Sequence, residues 1–492
     1  MQSLKRKKWE TRDYVITMLM FAAHILVVLG FCVLAVFLNA EGKAGFLEFF
    51  QTRETVVDFS NLVIEMIIIT AVLYVYFSFE HGDFLHKRRN VGLILVILEF
   101  SLIANYFIGR YLSIYARPVA FASLLSLYLI NRRSSIFMNI VMSLMIFIVD
   151  MFTGSSIPTN SIYSQLILSF TAGVIAAYVL DGVTSRVKIF FSGIIIALPV
   201  LICVMGLETA ELFADNIKLI IYCFSSGMLS VILMMVVLPF LELVFNVVTD
   251  FRLAEITDIN SKVIKSLREQ APGTFNHSLT VATLAETCAA AIGEKVLLAR
   301  AAAYYHDIGK LKQPEYYAEN QQGYNPHDEL SPELSTDIIR SHASVGANFI
   351  KERNLPEYLA DVASQHHGTL PIKYFYAKAK KYTESELDIQ DFSYPGPKPQ
   401  SKIACIIMIC DACEAKVRTM TDRSPEKVDK AIKDIIEERM DLEQFTDCDI
   451  TLKELEIIRR AIVETLAGVY HNRVKYPKLK VKKGSSDDKN NG

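Results

Sequence analysis

Seven positions in the C-terminal half of this chain carry metal-binding chemistry: His277, the pair His306-Asp307, His342, the pair His366-His367, and Asp411. The chain has ten histidines, and five of them fall in this one ordered series. Imidazole and carboxylate are the ligands that suit iron, manganese and zinc. Asp307, next to a histidine of the series, is placed to bridge two ions. Two divalent ions about 3.5–4 Å apart activate water and stabilise charge on a phosphate in one step. The pattern therefore calls for a two-metal hydrolytic site. A lone histidine on a helix is more often a packed or surface residue, but that does not account for five in series, one of them beside an aspartate.

Other side chains near the series have competing explanations. Lys310, three residues after Asp307, can reach a phosphate oxygen as a point charge or cap a helix end at the surface. Arg418, two turns beyond Asp411, can bind a second phosphate or form a structural salt bridge. Thr369 can donate to substrate. Glu286 and Glu414 are candidates to accept the second N–H of a ligating imidazole. His327-Asp328 is a second His-Asp pair, in a proline-bounded loop outside the series, and reads as structural, as does His471. Cys410 and Cys413 flank Asp411, but no second CxxC completes a zinc site, so they read as packing thiols. Free thiols in this half fit a reducing compartment.

The elements that must position these residues are amphipathic helices. From about 248 onward the spacing predicts helices over 278–292 (stopped by Gly293), 296–308, 333–352, 356–367, 400–420, 424–440 and 451–473. The ligands fall near the ends of several of them, and helical metal sites converge at such ends. A proline- and glycine-rich connector, 394–399, precedes the helix carrying Asp411. Residues 478–492 read as a basic, then polar tail, whose lysines can touch anionic lipid.

The N-terminal half is different. With 52% hydrophobic residues, the chain is too apolar to be wholly soluble, and the excess lies before residue 248. Eight candidate membrane crossings, each needing about 20 apolar residues, lie over 14–38, 59–79, 90–113, 117–131, 136–153, 162–180, 188–207 and 217–243. The fourth is the shortest. Lys5–Lys8, Lys87–Arg89, Arg132-Arg133 and Arg186/Lys188 all fall on one side, which the positive-inside rule makes cytoplasmic. An even number of crossings returns the C-terminal half there. The expected organisation is a cytoplasmic segment 1–13, a membrane domain 14–247, a catalytic domain 248–477 and the tail 478–492. Within the spans, His24 reads as an interhelical contact, and Asn105 as a polar group facing the bundle interior or a cavity. Glu65 and Glu99 are either hydrogen-bonding carboxyls or the lining of a ligand pocket. A net charge of −2 gives no bulk attraction to a nucleic-acid polymer.

Taken as a whole, the chain resembles the seven-transmembrane HD phosphohydrolase family, membrane-bound cyclic di-AMP phosphodiesterases of bacteria. The likeness runs through FNHSLTVATLAETCAAAIG (275–293), AYYHDIGKLKQPEYYAENQ (303–321), NPHDELSPELS (325–335), SQHHGTL (364–370), YPGPKPQSK (394–402), ICDACEAKVR (409–418), HNRVKYP (471–477) and the exit PFLELVFNVVTD (239–250). The resemblance implies an all-α protein: a transmembrane helical bundle followed by a cytoplasmic helical HD domain. By position it implies that His277, His306, Asp307 and Asp411 hold one ion. His342, His366 and His367 would hold a second, with Asp307 shared. It further implies manganese or iron as the metal and cleavage of cyclic di-AMP to the linear dinucleotide pApA. The expected partners are that substrate and the lipid bilayer of a bacterial cell membrane, with a homodimer as an open assembly state. Two features depart from the family: the interval 39–58 is short where a sizeable extracytoplasmic domain is usual, and Ser393 stands where a basic residue is expected. Hydrolysis of another messenger, cyclic di-GMP or a guanosine alarmone, is the alternative activity, although no GYP tripeptide follows His366-His367. The non-enzymatic alternative is a receptor that binds nucleotide without turnover.

Overall fold

A backbone in lipid must satisfy its own hydrogen bonds, so uninterrupted apolar runs fold as helices. The computed structural model describes residues 11–40, 46, 51, 53–80, 84–85, 87–153, 159–207, 217–382 and 386–469. The expected tail 478–492 and His471 lie outside them. The chain divides into two compact units, one built on residues up to Ser261 with Ile350–Tyr358, the other on Lys262–Phe349 and the residues from Leu359 onward.

The first unit is a bundle of α1 (Thr11–Asn39), α2 (Arg53–Glu80), α3 (Arg88–Tyr111), α4 (Phe121–Leu129), α5 (Arg132–Phe152), α6 (Thr159–Val179), α7 (Arg186–Leu207) and α8 (Ile217–Phe245), followed by the short α9 (Asp250–Ile256). Among the described residues, seven helices are long and apolar enough to cross a membrane. The fourth expected crossing is not one of them: it forms a 3₁₀ turn, Ile114–Ala116, and the nine-residue α4. At 1.5 Å per residue α4 is only about 14 Å long.

Non-helical backbone at membrane depth is tolerated where protein encloses it, and the link into α4 meets that condition. Arg117 is buried and makes a bidentate pair with Asp150 at 2.5 and 2.9 Å. The Ser226 hydroxyl donates to the Arg117 carbonyl, and the Ala120 amide donates to Ser230. Asp150 lies 18 residues along α5 from Arg132, about 27 Å. The segment from Arg117 to Asn131 therefore runs the height of α5, within the reach of an arginine side chain.

Polar residues in the spans knit helices together. The His24 ring nitrogen lies 3.1 Å from Glu99 on α3. Asn105 donates to the carbonyls of Ser101 and Pro118. Glu65 lies on the exposed face of α2.

The second unit comprises α10 (Lys262–Gln270), α11 (Pro272–Ile292), α12 (Val296–Tyr305), most of α13 (Pro332–Glu352) and of α14 (Glu357–Gln365), α15 (Lys373–Ala379), α16 (Lys402–Thr419), α17 (Pro425–Asp441) and α18 (Leu452–Val469). Short 3₁₀ turns fill the stretch between α12 and α13. A single β-bridge, Pro371 to Ser393, is the only sheet pairing among the described residues. The fold is all-α. α11 and α16 both lie in its core; the Ile403–Cys410 run of α16 is buried and turns Asp411 toward α11. All eight cysteines are free. Cys410 and Cys413 are buried packing thiols, with Cys410 Sγ 3.9 Å from Cys288 Sγ.

Candidate metal centre

The seven donors arrive from five places in the chain. His277 sits in the second turn of α11 rather than before it, because the helix starts at Pro272, a residue suited to the first helical position. His306 closes α12 and Asp307 follows it into a 3₁₀ turn. His342 lies mid-way along α13, His366-His367 just past the end of α14, and Asp411 on α16. Gly309 allows the turn after Asp307 to press on α13. A Cβ there would lie 2.0 Å from the His342 carbonyl oxygen and 2.6 Å from the Gly346 amide nitrogen.

These donors fall into two groups, each with its ligand atoms within 4.8 Å of one another: His277, His306 and Asp411; and Asp307, His342, His366 and His367. Asp307 spans both. Its Oδ2 lies 3.3 Å from His306 Nε2 and 3.7 Å from His277 Nε2, while its Oδ1 lies 3.3 Å from His342 Nε2 and 3.6 Å from His366 Nε2. Asp411 Oδ1 is 3.0 Å from His277 Nε2, and its Oδ2 is 3.9 Å from His367 Nδ1. His306 Nε2 and Asp307 Oδ1 are buried with no hydrogen-bond partner, a cost that bound cations remove. The residues fit a metal centre.

The rings are fixed from behind. Nδ1 of His306, His342 and His366 donates to the carbonyls of Ala303, Ile339 and Ala363, each three residues upstream, at 2.7, 2.6 and 2.8 Å. Each Nε2 is thereby turned toward the Asp307 carboxylate, the orientation a metal ligand needs. His277 Nδ1 instead donates to Glu414 at 2.6 Å. Of the two candidate outer acceptors, Glu414 serves and Glu286 does not, being paired with Arg300. The Tyr394 ring stacks on His367 with centroids 4.3 Å apart.

Electrostatics favour ligation. Burial, with neighbouring imidazoles, pushes His366 down to about 4 and His367 well below the usual histidine range, so both offer lone pairs. Burial opposes ionisation of Asp307, but Lys310 and His306 outweigh it and hold the carboxyl well below its usual range. Asp411 is likewise lowered against burial by His277. Burial also opposes charge on His277, yet Asp411 and Glu414 raise it to about 10.

Lys310 is mostly buried, with Nζ 2.7 Å from Asp307 Oδ2 and 2.8 Å from Glu319 Oε1. Thr369 turns to Gln444, whose amide donates to its hydroxyl at 2.9 Å. Arg418 lies 3.6 Å from Glu414 with its side chain 41% exposed, which favours the salt-bridge alternative. His327 bonds the Tyr316 carbonyl and lies outside both donor groups. Glu319 and Tyr394 were not singled out from sequence, although both lie in quoted motifs. Their types gave no sign of whom they would touch.

Residues 57–249 match the family model described as the 7TM receptor with intracellular HD hydrolase, and residues 274–416 match that of the HD domain. The chain is 34% identical over 429 residues to the cyclic-di-AMP phosphodiesterase PgpH of Bacillus subtilis strain 168. It is 35% identical over 445 residues to PgpH of Listeria monocytogenes strain 10403S. These matches cover 85% and 88% of this chain and 60% of each relative, so the chain spans about three-fifths of the length of those proteins. Crystal structures of the L. monocytogenes PgpH HD domain, one in complex with cyclic-di-AMP, are 48% identical with TM-scores of 0.41 and 0.42. They cover 43% and 44% of this chain, and the matches span 100% and 99% of the crystallised domains. The chain thus carries, in order, a segment similar to the 7TM receptor module with intracellular HD hydrolase and a segment similar to the HD domain.

Proposed function

We propose that this protein is a membrane-anchored phosphodiesterase that hydrolyses cyclic di-AMP to pApA in a two-metal site. The carrying observation is the division of the Asp307 oxygens, Oδ2 facing one donor group and Oδ1 the other. Further support comes from relatives named as cyclic-di-AMP phosphodiesterases. His277, His306, Asp307 and Asp411 would hold one ion and His342, His366 and His367 a second, with Asp307 shared. Manganese and iron suit this nitrogen and oxygen set. When bound, the pair supplies an activated water and neutralises charge on the phosphate.

The chain's own groups do the rest. Neutral His366 and His367 and ionised Asp307 and Asp411 stand ready without losing protons. Glu414 and the three backbone carbonyls fix ring orientation, so little is lost to reorganisation. Lys310 presents a compact positive charge at the edge of Asp307, where it can donate to a non-bridging phosphate oxygen. Residues 14–247 would anchor the enzyme in a bacterial cell membrane, with residues 248–477 catalytic and in the cytoplasm.

The test uses the full-length chain in detergent with Mn2+, assayed for turnover of cyclic di-AMP, cyclic di-GMP and a guanosine alarmone. Appearance of pApA, much slower turnover of the guanine nucleotides and loss of turnover in Asp307→Ala are expected. Equal turnover of adenine and guanine cyclic dinucleotides would remove the substrate assignment. Nucleotide binding without any turnover by the metal-loaded wild type would leave a receptor instead.

A further inference from the structure

We infer that Glu319 is a positioning residue for the phosphodiester reaction, holding Lys310 at the metal centre's edge from the side opposite Asp307. This rests on the two-metal reading above and adds a residue to it.

Lys310 Nζ is shared between Asp307 Oδ2 at 2.7 Å and Glu319 Oε1 at 2.8 Å, and it lies 5.0 Å from the centroid of the Tyr317 ring. A lysine has four rotatable side-chain bonds and no preferred fork geometry, so its charge is only as well placed as its partners make it. The partner on the far side is itself tied down. The Thr274 hydroxyl donates to Glu319 Oε1 at 3.1 Å. Asn320 donates to that hydroxyl at 2.9 Å and accepts from the Thr274 amide at 3.2 Å. Gly273 lets the two segments touch, since a Cβ there would lie 1.9 Å from the Glu319 carbonyl oxygen.

The turn Ala318–Asn320 is thus pinned to the first turn of α11, three residues ahead of His277. One strut fixes both a ligand helix and the lysine. Its charge matters as well as its shape. Without Glu319, Lys310 is free to lean wholly on Asp307, competing with cations for Oδ2 and withdrawing from the phosphate.

The experiment compares Glu319→Gln, Lys310→Gln, the double variant and Asp307→Ala in the full-length chain. Glutamine keeps the bulk and an acceptor for Thr274 while removing the charge. Expected for Glu319→Gln is a kcat for cyclic di-AMP roughly tenfold or more below wild type with KM moved less than about threefold. Elemental analysis should find wild-type manganese per chain at saturating metal, while half-saturation moves to higher Mn2+. Replacing Lys310 in the same chain should restore that metal affinity, because the competing cation is gone. The double variant should turn over no more slowly than Lys310→Gln alone, since the two residues act as a unit.

A Glu319→Gln chain with wild-type kcat, or with metal lost even at saturation, would overturn the inference, as would additive losses in the double variant. Wild-type turnover in Lys310→Gln would also overturn it while leaving the two-metal reading intact. Wild-type turnover in Asp307→Ala would instead remove the two-metal reading itself.

Discussion

At the scale of single residues, the series that converges around Asp307 could be picked out because imidazoles are scarce in this chain and metal chemistry limits which side chains suit a cation. What holds those side chains in place was not legible, because a carboxylate in sequence does not show its partner. Glu414 and Glu286 looked alike until one faced His277 and the other Arg300. The Glu414 contact has a measurable consequence. In the metal-free protein His277 carries a proton up to about 10, and that proton must leave for Nε2 to ligate. Between pH 7.5 and 9, apparent Mn2+ affinity should therefore rise about tenfold per unit, one proton being released. Replacing Glu414 by Gln should weaken binding about tenfold or more by freeing the ring, and should flatten that slope. Isothermal titration at three pH values checks both; a pH-independent wild-type affinity would sink the first. The same proton acts on stability. Because the folded pKa of His277 exceeds its ordinary 6.5, its contribution to the metal-free fold is complete below 6.5 and lost as pH rises through about 10. Asp307 and Asp411, lowered from 3.8, behave oppositely, and their contribution is lost on acidification. Thermal unfolding of metal-free protein should thus show a falling Tm from pH 6.5 to 10, and metal loading should abolish the fall.

Helices were readable where an apolar face repeats over several turns, and less so at their ends. The α13 boundary differs from expectation by one residue, and Gly293 does cap α11 in the left-handed conformation. The N-terminus of α11 extends six residues beyond the apolar pattern, since Pro272 and Gly273 look like breakers yet occupy first-turn positions that tolerate them. Helices α9, α10 and α15 were not anticipated, each being too short for a periodic signal. Gly309 decides how closely the His306-Asp307 turn meets α13. Gly309→Ala should push the two apart, costing roughly 1–3 kcal/mol as overpacking does and separating Asp307 from His342. The expected outcome is a lowered Tm and fewer than the wild-type number of manganese ions per chain by elemental analysis. A variant that loads metal like wild type would show that the close approach is not what sets the ligand spacing. In the membrane unit, Arg117→Ala leaves Asp150 buried without a partner, a change worth about 3–5 kcal/mol. It should lower the unfolding temperature in detergent, and an unchanged value would show that Asp150 finds another partner.

For the molecule as a whole, the two-part organisation was visible in composition alone, but the number of passes turned on one weak segment. Basic residues open α3, α5 and α7, and ion pairs gather those ends on one face: Arg88 with Asp13 at the start of α1, Arg133 with Glu80 at the end of α2, and Arg132 with Asp181 just after α6. At the other face, the end of α3 meets the end of α1, where Tyr106 and Arg110 donate to the carbonyls of Ala35 and Leu38. For Arg88 and Arg132 to share a face, the chain from Leu112 to Asn131 must come back across, although α4 supplies only nine helical residues. It can do so because neighbouring helices, not lipid, surround it. On the positive-inside rule that basic face is the one expected in the cytoplasm. Leu112→Cys should react with a membrane-impermeant maleimide on intact cells, with the parent chain as blank, whereas Arg133→Cys should react only after permeabilisation. Labelling of both positions from the same side would make 112–131 re-entrant and leave seven crossings. An odd number of crossings would put Asp13 at the start of α1 and Phe245 at the end of α8 on opposite faces, an even number on the same face.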